Sequence, residues 1–195
     1  MSETIEARDA GQERQGQASP LAAIVFDRDE EPDPPLIAFL EAAAQQGARI
    51  AGLVQERTCG DGRCASHDAR VRNLVTGETL DIMQDLGSDA TGCRVDPAAI
   101  AVAARWLEAA LATHPDLLVA NRFGRLEAEG AGMLAEIGAA FVEGLPLIVC
   151  VPKRYLGAWD AFASGLDVKL EPTRESVEIW WTAIASSPSR GAVAA

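Results

Sequence analysis

The residues best suited to chemistry lie in one short segment that follows an apolar run, Asn121-Arg-Phe-Gly-Arg-Leu-Glu-Ala-Glu-Gly130. Arg122 supplies a planar guanidinium fork, which binds an oxyanion through two parallel hydrogen bonds. Gly124 can adopt a positive φ and expose backbone N–H groups to the same ligand. Alternatively, the glycine makes a turn and the glutamates favour the N-terminus of a helix. The candidate ligand-binding residues here are Asn121, Arg122, Phe123, Gly124, Glu127 and Glu129.

A second candidate anion site lies in the segment from Gln84 to Pro97. Its glycines allow a tight nest of backbone N–H groups, and Arg94 stands just before a helix that is predicted to start at Pro97. The alternative is a helix capped by Asp96 with a buried cysteine. The candidate residues of this segment are Gln84, Asp85, Gly87, Cys93 and Arg94.

The segment from Asp27 to Pro35 stands where a nucleotide-binding α/β protein carries a glycine-rich loop with a lysine. It contains no glycine, no lysine and five acidic residues. Such a loop repels phosphate unless a metal ion intervenes, so Mg²⁺ is one candidate cofactor. The simpler interpretation is a charged loop that leads into a helix capped by Asp33.

Cys59, Cys64 and His67 lie in one polar segment and form a candidate metal or redox site. Zinc is not favoured, because the spacing differs from the usual pattern and a fourth ligand is missing locally. Cys93 or Asp68 would have to complete the set. An ordinary polar loop is the alternative.

The elements that position these residues alternate between short apolar runs and amphipathic stretches. Such alternation predicts a three-layer α/β domain: a mainly parallel sheet with helices on both faces. A turn at Val75-Thr-Gly77 predicts an inserted antiparallel hairpin, and Asp167–Leu170 an edge strand. Ligands of such sheets bind at the carboxyl ends of the strands. The predicted buried strands are 21–26, 49–54, 116–121 and 146–151, and the predicted helices are 33–46, 97–113, 127–143, 155–164 and 173–185.

The formal net charge of −12 argues against nucleic acid or anionic lipid as the main partner, because both require a basic surface. We expect a disordered leader over residues 1–20, one domain over 21–185 and a frayed tail over 186–195. No apolar run is long enough for a membrane span, and the polar leader is not a secretory signal, so the expected location is the cytoplasm. The composition is compatible with a protein partner or a homo-oligomer.

Four strings together resemble an uncharacterised bacterial family, domain of unknown function 2478. They are Gln84-Asp-Leu-Gly87, Gly92-Cys-Arg-Val-Asp-Pro97, the segment 121–130 and Val151-Pro-Lys-Arg-Tyr-Leu-x-Ala-Trp159. The resemblance covers roughly residues 21–182. Members are often described alongside molybdenum transport genes, which implies molybdate or tungstate as the small anion.

The layout is also similar to the small nucleoside-triphosphatase family of P-loop folds. Ile50-Ala-Gly-Leu-Val54, Thr76-Gly77 and Gly124-Arg-Leu-Glu127 match its landmarks. The chain departs from that family in two places: the glycine-lysine-threonine loop is absent, and Asn121-Arg122 replaces the acidic pair at the strand end. These departures argue against ordinary ATP hydrolysis.

The function expected from the sequence is non-hydrolytic binding of a molybdate-like oxyanion in molybdenum homeostasis. Three alternatives stay open. One is a Mg²⁺-dependent nucleotide hydrolase with Glu127 or Glu129 as its base. Another is a metal or redox module built on the Cys/His segment, and the last is a scaffold protein without a small ligand.

Overall fold

Seven strands form one sheet in the computed structural model, which describes residues 18–57, 69–84 and 95–186. Across the sheet the strands follow the order β4-β3-β2-β5-β6-β1-β7. Four neighbouring pairs, β2–β5, β5–β6, β6–β1 and β1–β7, are parallel. Along the chain the strands are β1 (Leu21–Phe26), β2 (Ile50–Arg57), β3 (Ala69–Asn73), β4 (Thr79–Asp81), β5 (Leu117–Arg122), β6 (Leu147–Pro152) and β7 (Asp167–Leu170).

Helices cover both faces of the sheet, as the alternation of apolar and amphipathic segments predicts. One apolar cluster joins the sheet to α1 and α6, and the other joins it to α2, α4 and α5. This confirms the three-layer α/β class. The helices are α1 (Asp33–Gln45), α2 (Pro97–Leu111), α3 (Arg125–Ala128), α4 (Leu134–Val142), α5 (Leu156–Ala163) and α6 (Arg174–Ala185), and a 3₁₀ turn spans Lys153–Tyr155.

The antiparallel hairpin predicted around Val75-Thr-Gly77 is present. β3 pairs antiparallel with β4, and β2 pairs antiparallel with β3. The side chain of Asn73 fixes the turn, because its Oδ1 accepts hydrogen bonds from the N–H groups of Val75 and Thr76. The predicted edge strand is also present as β7, at the opposite end of the sheet order.

Two local predictions are wrong. The helix predicted over 127–143 is broken into α3 and α4, because Gly130 and Gly132 between them have φ values of 83° and 65°. A left-handed backbone of this kind cannot continue a right-handed helix. Asp33 does not cap α1: the N-cap residue is Pro32, and the helix start has no side-chain cap. By contrast, Asp96 caps α2 as predicted, by accepting a hydrogen bond from the N–H of Ala98.

The chain leaves the neighbouring strands β1 and β6 toward opposite faces of the sheet. From β1 it enters α1, whereas from β6 it enters α5 on the other face. Such a switch point opens a crevice at the carboxyl ends of the two strands, which is the usual ligand position in open parallel sheets. The carboxyl end of β5 lies beside it, because β5 pairs parallel with β6.

None of the helices in the described ranges combines the length and the apolar character that a membrane crossing requires.

Candidate functional site

Arg122 ends β5 and forms an ion pair with Asp33 in the first turn of α1. The two side chains are 18% and 13% exposed, so the pair is largely withdrawn from water. The guanidinium carbon lies 4.8 Å from the centre of the Phe26 ring at the end of β1. Attraction to the aromatic face holds the cation in this position. One arginine therefore connects the carboxyl end of β5 with the carboxyl end of β1 and the N-terminus of α1.

The guanidinium fork of Arg122 is only half used. Asp33 accepts a hydrogen bond from Nη2, whereas the buried Nε has no hydrogen-bond partner in the described part of the chain. Buried polar groups are rarely left without a partner, and each exception needs an explanation. Nε and Nη2 form the edge of the guanidinium that binds carboxylates and oxyanions bidentately.

Two other arginine–aspartate pairs in the chain use this same edge fully. Arg49 donates to Asp116 from Nε at 3.3 Å and from Nη2 at 3.0 Å. Arg70 donates to Asp81 from Nε at 2.8 Å and from Nη2 at 3.2 Å. Both pairs are more exposed than the Arg122 pair. The most buried of the three arginines is thus the one whose Nε has no acceptor in the ranges that the structure describes.

Cys150 lies in β6 opposite Arg122 in the sheet register. The pKa of its thiol is raised to about 12, mainly by burial and also by the nearby Asp33 carboxylate, while the Arg122 guanidinium lowers it. Only the thiolate is a nucleophile or a metal ligand. Cys150 therefore stays a neutral packing residue below the Arg122 pair.

A second ion pair joins the segments that follow β1 and β6. Lys153, which directly follows β6, places its Nζ 3.2 Å from Oδ2 of Asp27, which directly follows β1. A hydrogen bond from the N–H of Arg28 and the contact with Lys153 hold the pKa of the Asp27 carboxyl below its usual range. Both side chains are more than half exposed. Two cations of the carboxyl edge, Arg122 and Lys153, are therefore each paired with an acid from the segment 27–33.

Lys153 was not a candidate in the sequence, and Asp27 and Asp33 appeared there only in the acidic segment considered for Mg²⁺ and, for Asp33, as a helix cap. A usable signal was present, because Asp27 and Lys153 lie within two residues of the end of a predicted strand and Asp33 starts the first predicted helix. In a parallel sheet those positions share one edge. Their partners are far away in sequence, since Asp33 and Arg122 are separated by 89 residues. Pairing over such a distance does not follow from local pattern.

Glu127 stabilises the backbone on either side of α3 and the loop that leads to α4. Its side chain is buried, with 6% of the residue exposed. Oε2 accepts a hydrogen bond from the N–H of Gly124 at 2.8 Å, and Oε1 accepts one from the N–H of Met133 at 3.0 Å. A Cβ atom on Gly132 would lie 2.1 Å from Oε1, so only glycine fits beside it. Glu127 therefore holds the backbone that follows Arg122.

Replacing Glu127 by alanine should lower the free energy of unfolding by about 2 kcal/mol, because two buried N–H groups lose a charged acceptor. Urea denaturation monitored by circular dichroism measures this change. Glu129→Ala is the matched control, because Glu129 pairs with Arg125 on the exposed face of α3 and should change stability by less than about 0.5 kcal/mol. Equal losses in the two variants would contradict the structural role of Glu127.

Three other candidate residues, Phe123, Glu129 and Gly124, make contacts within the protein. Phe123 is buried and packs edge-on against Trp159, with ring centres 5.3 Å apart. Glu129 pairs with Arg125 at 2.7 Å. The positive φ expected of Gly124 is wrong: φ is −106°, and its N–H is bound to Glu127 instead of being open to a ligand.

Several predicted residues lie outside the described part of the structure: Asp85, Gly87, Cys93, Arg94, Cys59, Cys64, His67 and the side chain of Asn121. Gln84 is described and half-buried just after β4. In the sheet order β3 and β2 lie between β4 and β5, so the strand that Gln84 follows is not a neighbour of the strand that ends in Arg122.

The acids of the segment 27–33 are directed to separate partners. Asp27 contacts Lys153, Asp33 contacts Arg122, and Glu30 accepts a hydrogen bond from the N–H of Asp27 at 2.6 Å. Among the residues that the structure describes, no three His, Cys, Asp or Glu side chains form a group that could hold a metal ion. The described geometry thus gives no support to the suggestion that this loop collects Mg²⁺.

Comparison with known proteins gives a family and a fold. Residues 21–180 match the model of a family described as "Protein of unknown function (DUF2478)". The chain is also 34% identical over 170 residues to the molybdenum import ATP-binding protein ModC 2 of Bradyrhizobium diazoefficiens. That match covers 87% of this chain and 19% of the relative, so the chain spans about a fifth of the relative's length.

Two solved structures share the fold. The solution structure of a human cancer-related nucleoside triphosphatase gives a TM-score of 0.60 at 12% identity, and the alignment covers 90% of this chain and 99% of that one. The crystal structure of THEP1 from Aquifex aeolicus gives a TM-score of 0.56 at 12% identity, covering 82% and 95%. The layout of a P-loop nucleoside triphosphatase is therefore present in this chain.

Proposed function

The chain belongs to the DUF2478 family, and for it we propose non-hydrolytic binding of a small tetrahedral oxyanion, molybdate or tungstate, in molybdenum homeostasis. The ligand would bind at the carboxyl edge of β5 and β6, on the Nε–Nη2 edge of Arg122. The observation that carries the proposal is that Nε of this arginine has no hydrogen-bond partner among the described residues, while its Nη2 donates to Asp33.

A tetrahedral oxyanion suits this edge for a geometric reason. Two of its oxygens can accept parallel hydrogen bonds from Nε and Nη2, whereas Asp33 now uses only Nη2. Bonds between ionised groups are about twice as strong as neutral ones, and a position withdrawn from water strengthens them further. Lys153, at the end of the adjacent strand, supplies the second cation of the same edge.

The charges at this edge are the reverse of those needed for nucleotide hydrolysis. P-loop enzymes hold phosphates with a lysine and a glycine-rich loop after the first strand, and they hold Mg²⁺ with an acidic residue farther along the chain. In this chain the segment after β1 is acidic and lacks lysine, while β5 ends in a cation. Its only two lysines are Lys153 and Lys169, and neither follows a glycine.

The link to molybdenum rests on the relative. The protein that shares 34% identity with this chain is named as a molybdenum import ATP-binding protein. Because the matched segment is 19% of that protein, its ATP-binding function is not carried over to this chain. The proposal takes from it only the oxyanion class, which agrees with a site built on an arginine fork.

Equilibrium dialysis of the full chain against molybdate, tungstate, sulfate and phosphate tests the proposal, with phosphate release from ATP and GTP measured in parallel with Mg²⁺. We expect about one molybdate or tungstate ion per chain and no phosphate release. Failure to retain any oxyanion would refute the binding function. Mg²⁺-dependent phosphate release that Glu127→Gln abolishes would replace it with a nucleotide hydrolase.

A further inference from the structure

We infer that Asp33 is a tethered competitor for the anion site: its carboxylate occupies Nη2 of Arg122, and an oxyanion binds by displacing it. This inference rests on the proposed function and concerns the regulation of the same site. Asp33 then sets the affinity of the site for the oxyanion, whereas Arg122 forms the site itself.

The position of Asp33 supports a role as competitor. Pro32 is the N-cap residue of α1, and Asp33 follows it in the first turn of the helix. The Asp33 carboxylate contacts the guanidinium of a residue at the end of β5, and β6 lies between β5 and β1. The first turn of a helix favours negative charge. Asp33 can therefore act as a built-in anion that a diffusible anion has to replace.

The other end of the same segment repeats this arrangement. Asp27 forms an ion pair with Lys153, just as Asp33 does with Arg122. The two cations lie at the carboxyl ends of neighbouring strands. In both pairs the acid comes from the β1–α1 segment and the cation from another strand end. Because Asp27 and Lys153 are more than half exposed, Asp27 should compete with a bound anion less strongly than Asp33 does in its partly buried pair.

A competitor within the chain lowers apparent affinity without changing the intrinsic strength of the site. The measured Kd equals the intrinsic Kd divided by the fraction of molecules in which the site is open. If Asp33 closes the site in about nine molecules of ten, removing its charge should tighten binding about tenfold, or about 1.4 kcal/mol.

Isothermal titration of tungstate into Asp33→Asn at constant ionic strength tests this value. We expect a Kd about tenfold lower than that of the wild-type chain. Asp81→Asn is the matched control, because it makes the same charge change in an exposed pair with Arg70 on the hairpin. Its Kd should equal the wild-type value, which separates competition at the site from the effect of net charge.

A second variant is needed in case Asp33→Asn does not fold, since removing one partner of a partly buried ion pair is destabilising. Asp27→Asn changes an exposed acid and should lower the Kd about twofold. Unchanged affinity in the folded Asn variants, together with tungstate binding that depends on Arg122, would overturn this inference but leave the proposed function intact. Absence of tungstate binding in the wild-type chain and in both variants would overturn the two together.

Discussion

Replacing Arg122 by alanine is expected to weaken molybdate and tungstate binding about a hundredfold, or about 2.8 kcal/mol. The variant removes both donors of the fork and the positive charge that holds the anion. Hydrogen bonds between charged groups contribute about 1.5–3 kcal/mol each, so the loss of two such bonds accounts for this magnitude. Isothermal titration of both oxyanions, on protein shown to be folded by circular dichroism, measures the change.

Two control variants separate the fork from charge alone. Arg125→Ala removes the same charge three residues later, from an exposed pair with Glu129, and should leave the Kd within about twofold of the wild-type value. Arg122→Lys keeps the charge but offers no planar fork, so it should recover only part of the affinity. Unchanged affinity in folded Arg122→Ala protein would rule out this arginine as the ligand-binding group.

Replacing Gly52 by alanine should lower the free energy of unfolding by about 4 kcal/mol. Gly52 has a φ of 112° and lies in β2 opposite Val119 of β5. A Cβ atom there would lie 2.0 Å from the carbonyl oxygen of Val119. The variant therefore adds backbone strain to a collision of the new Cβ atom with the backbone of β5. The midpoint and slope of urea denaturation measure the loss.

Gly77→Ala is the control that isolates the strain. Gly77 also has a positive φ, of 74°, but a Cβ atom there would have no atom within 4 Å. Its replacement should cost only about 1 kcal/mol, the usual penalty for an alanine in a left-handed conformation. Equal destabilisation by the two substitutions would contradict the close approach of β2 and β5.

The sequence predicts the scaffold better than the site because the scaffold signals are local. Apolar runs locate β1, β2, β5 and β6, since a strand buried on both faces excludes polar residues. The prediction of one helix over 127–143 gave too little weight to Gly130 and Gly132, which weaken a helix and here adopt left-handed conformations between α3 and α4. Glu127 has the residue type of a surface position, but in the structure it is buried and accepts hydrogen bonds from the N–H groups of Gly124 and Met133.

Arg122 was identified from the sequence, but its surroundings were not. Asp33 was predicted to cap a helix, which its residue type and position favour, yet it pairs with a cation 89 residues away. The lack of a partner for Nε within the described residues is likewise a property of the packed chain rather than of any motif. The sequence thus selects Arg122 as a candidate, whereas its pairing with Asp33 emerges only from tertiary contacts.

Diffraction from crystals grown with tungstate, recorded at the tungsten absorption edge, tests the central claim most directly. The account predicts one strong anomalous peak within hydrogen-bonding distance of Nε and Nη2 of Arg122, with the Asp33 carboxylate displaced from Nη2. A peak at another place in the chain, or an Arg122–Asp33 pair that stays closed beside bound tungstate, would contradict it.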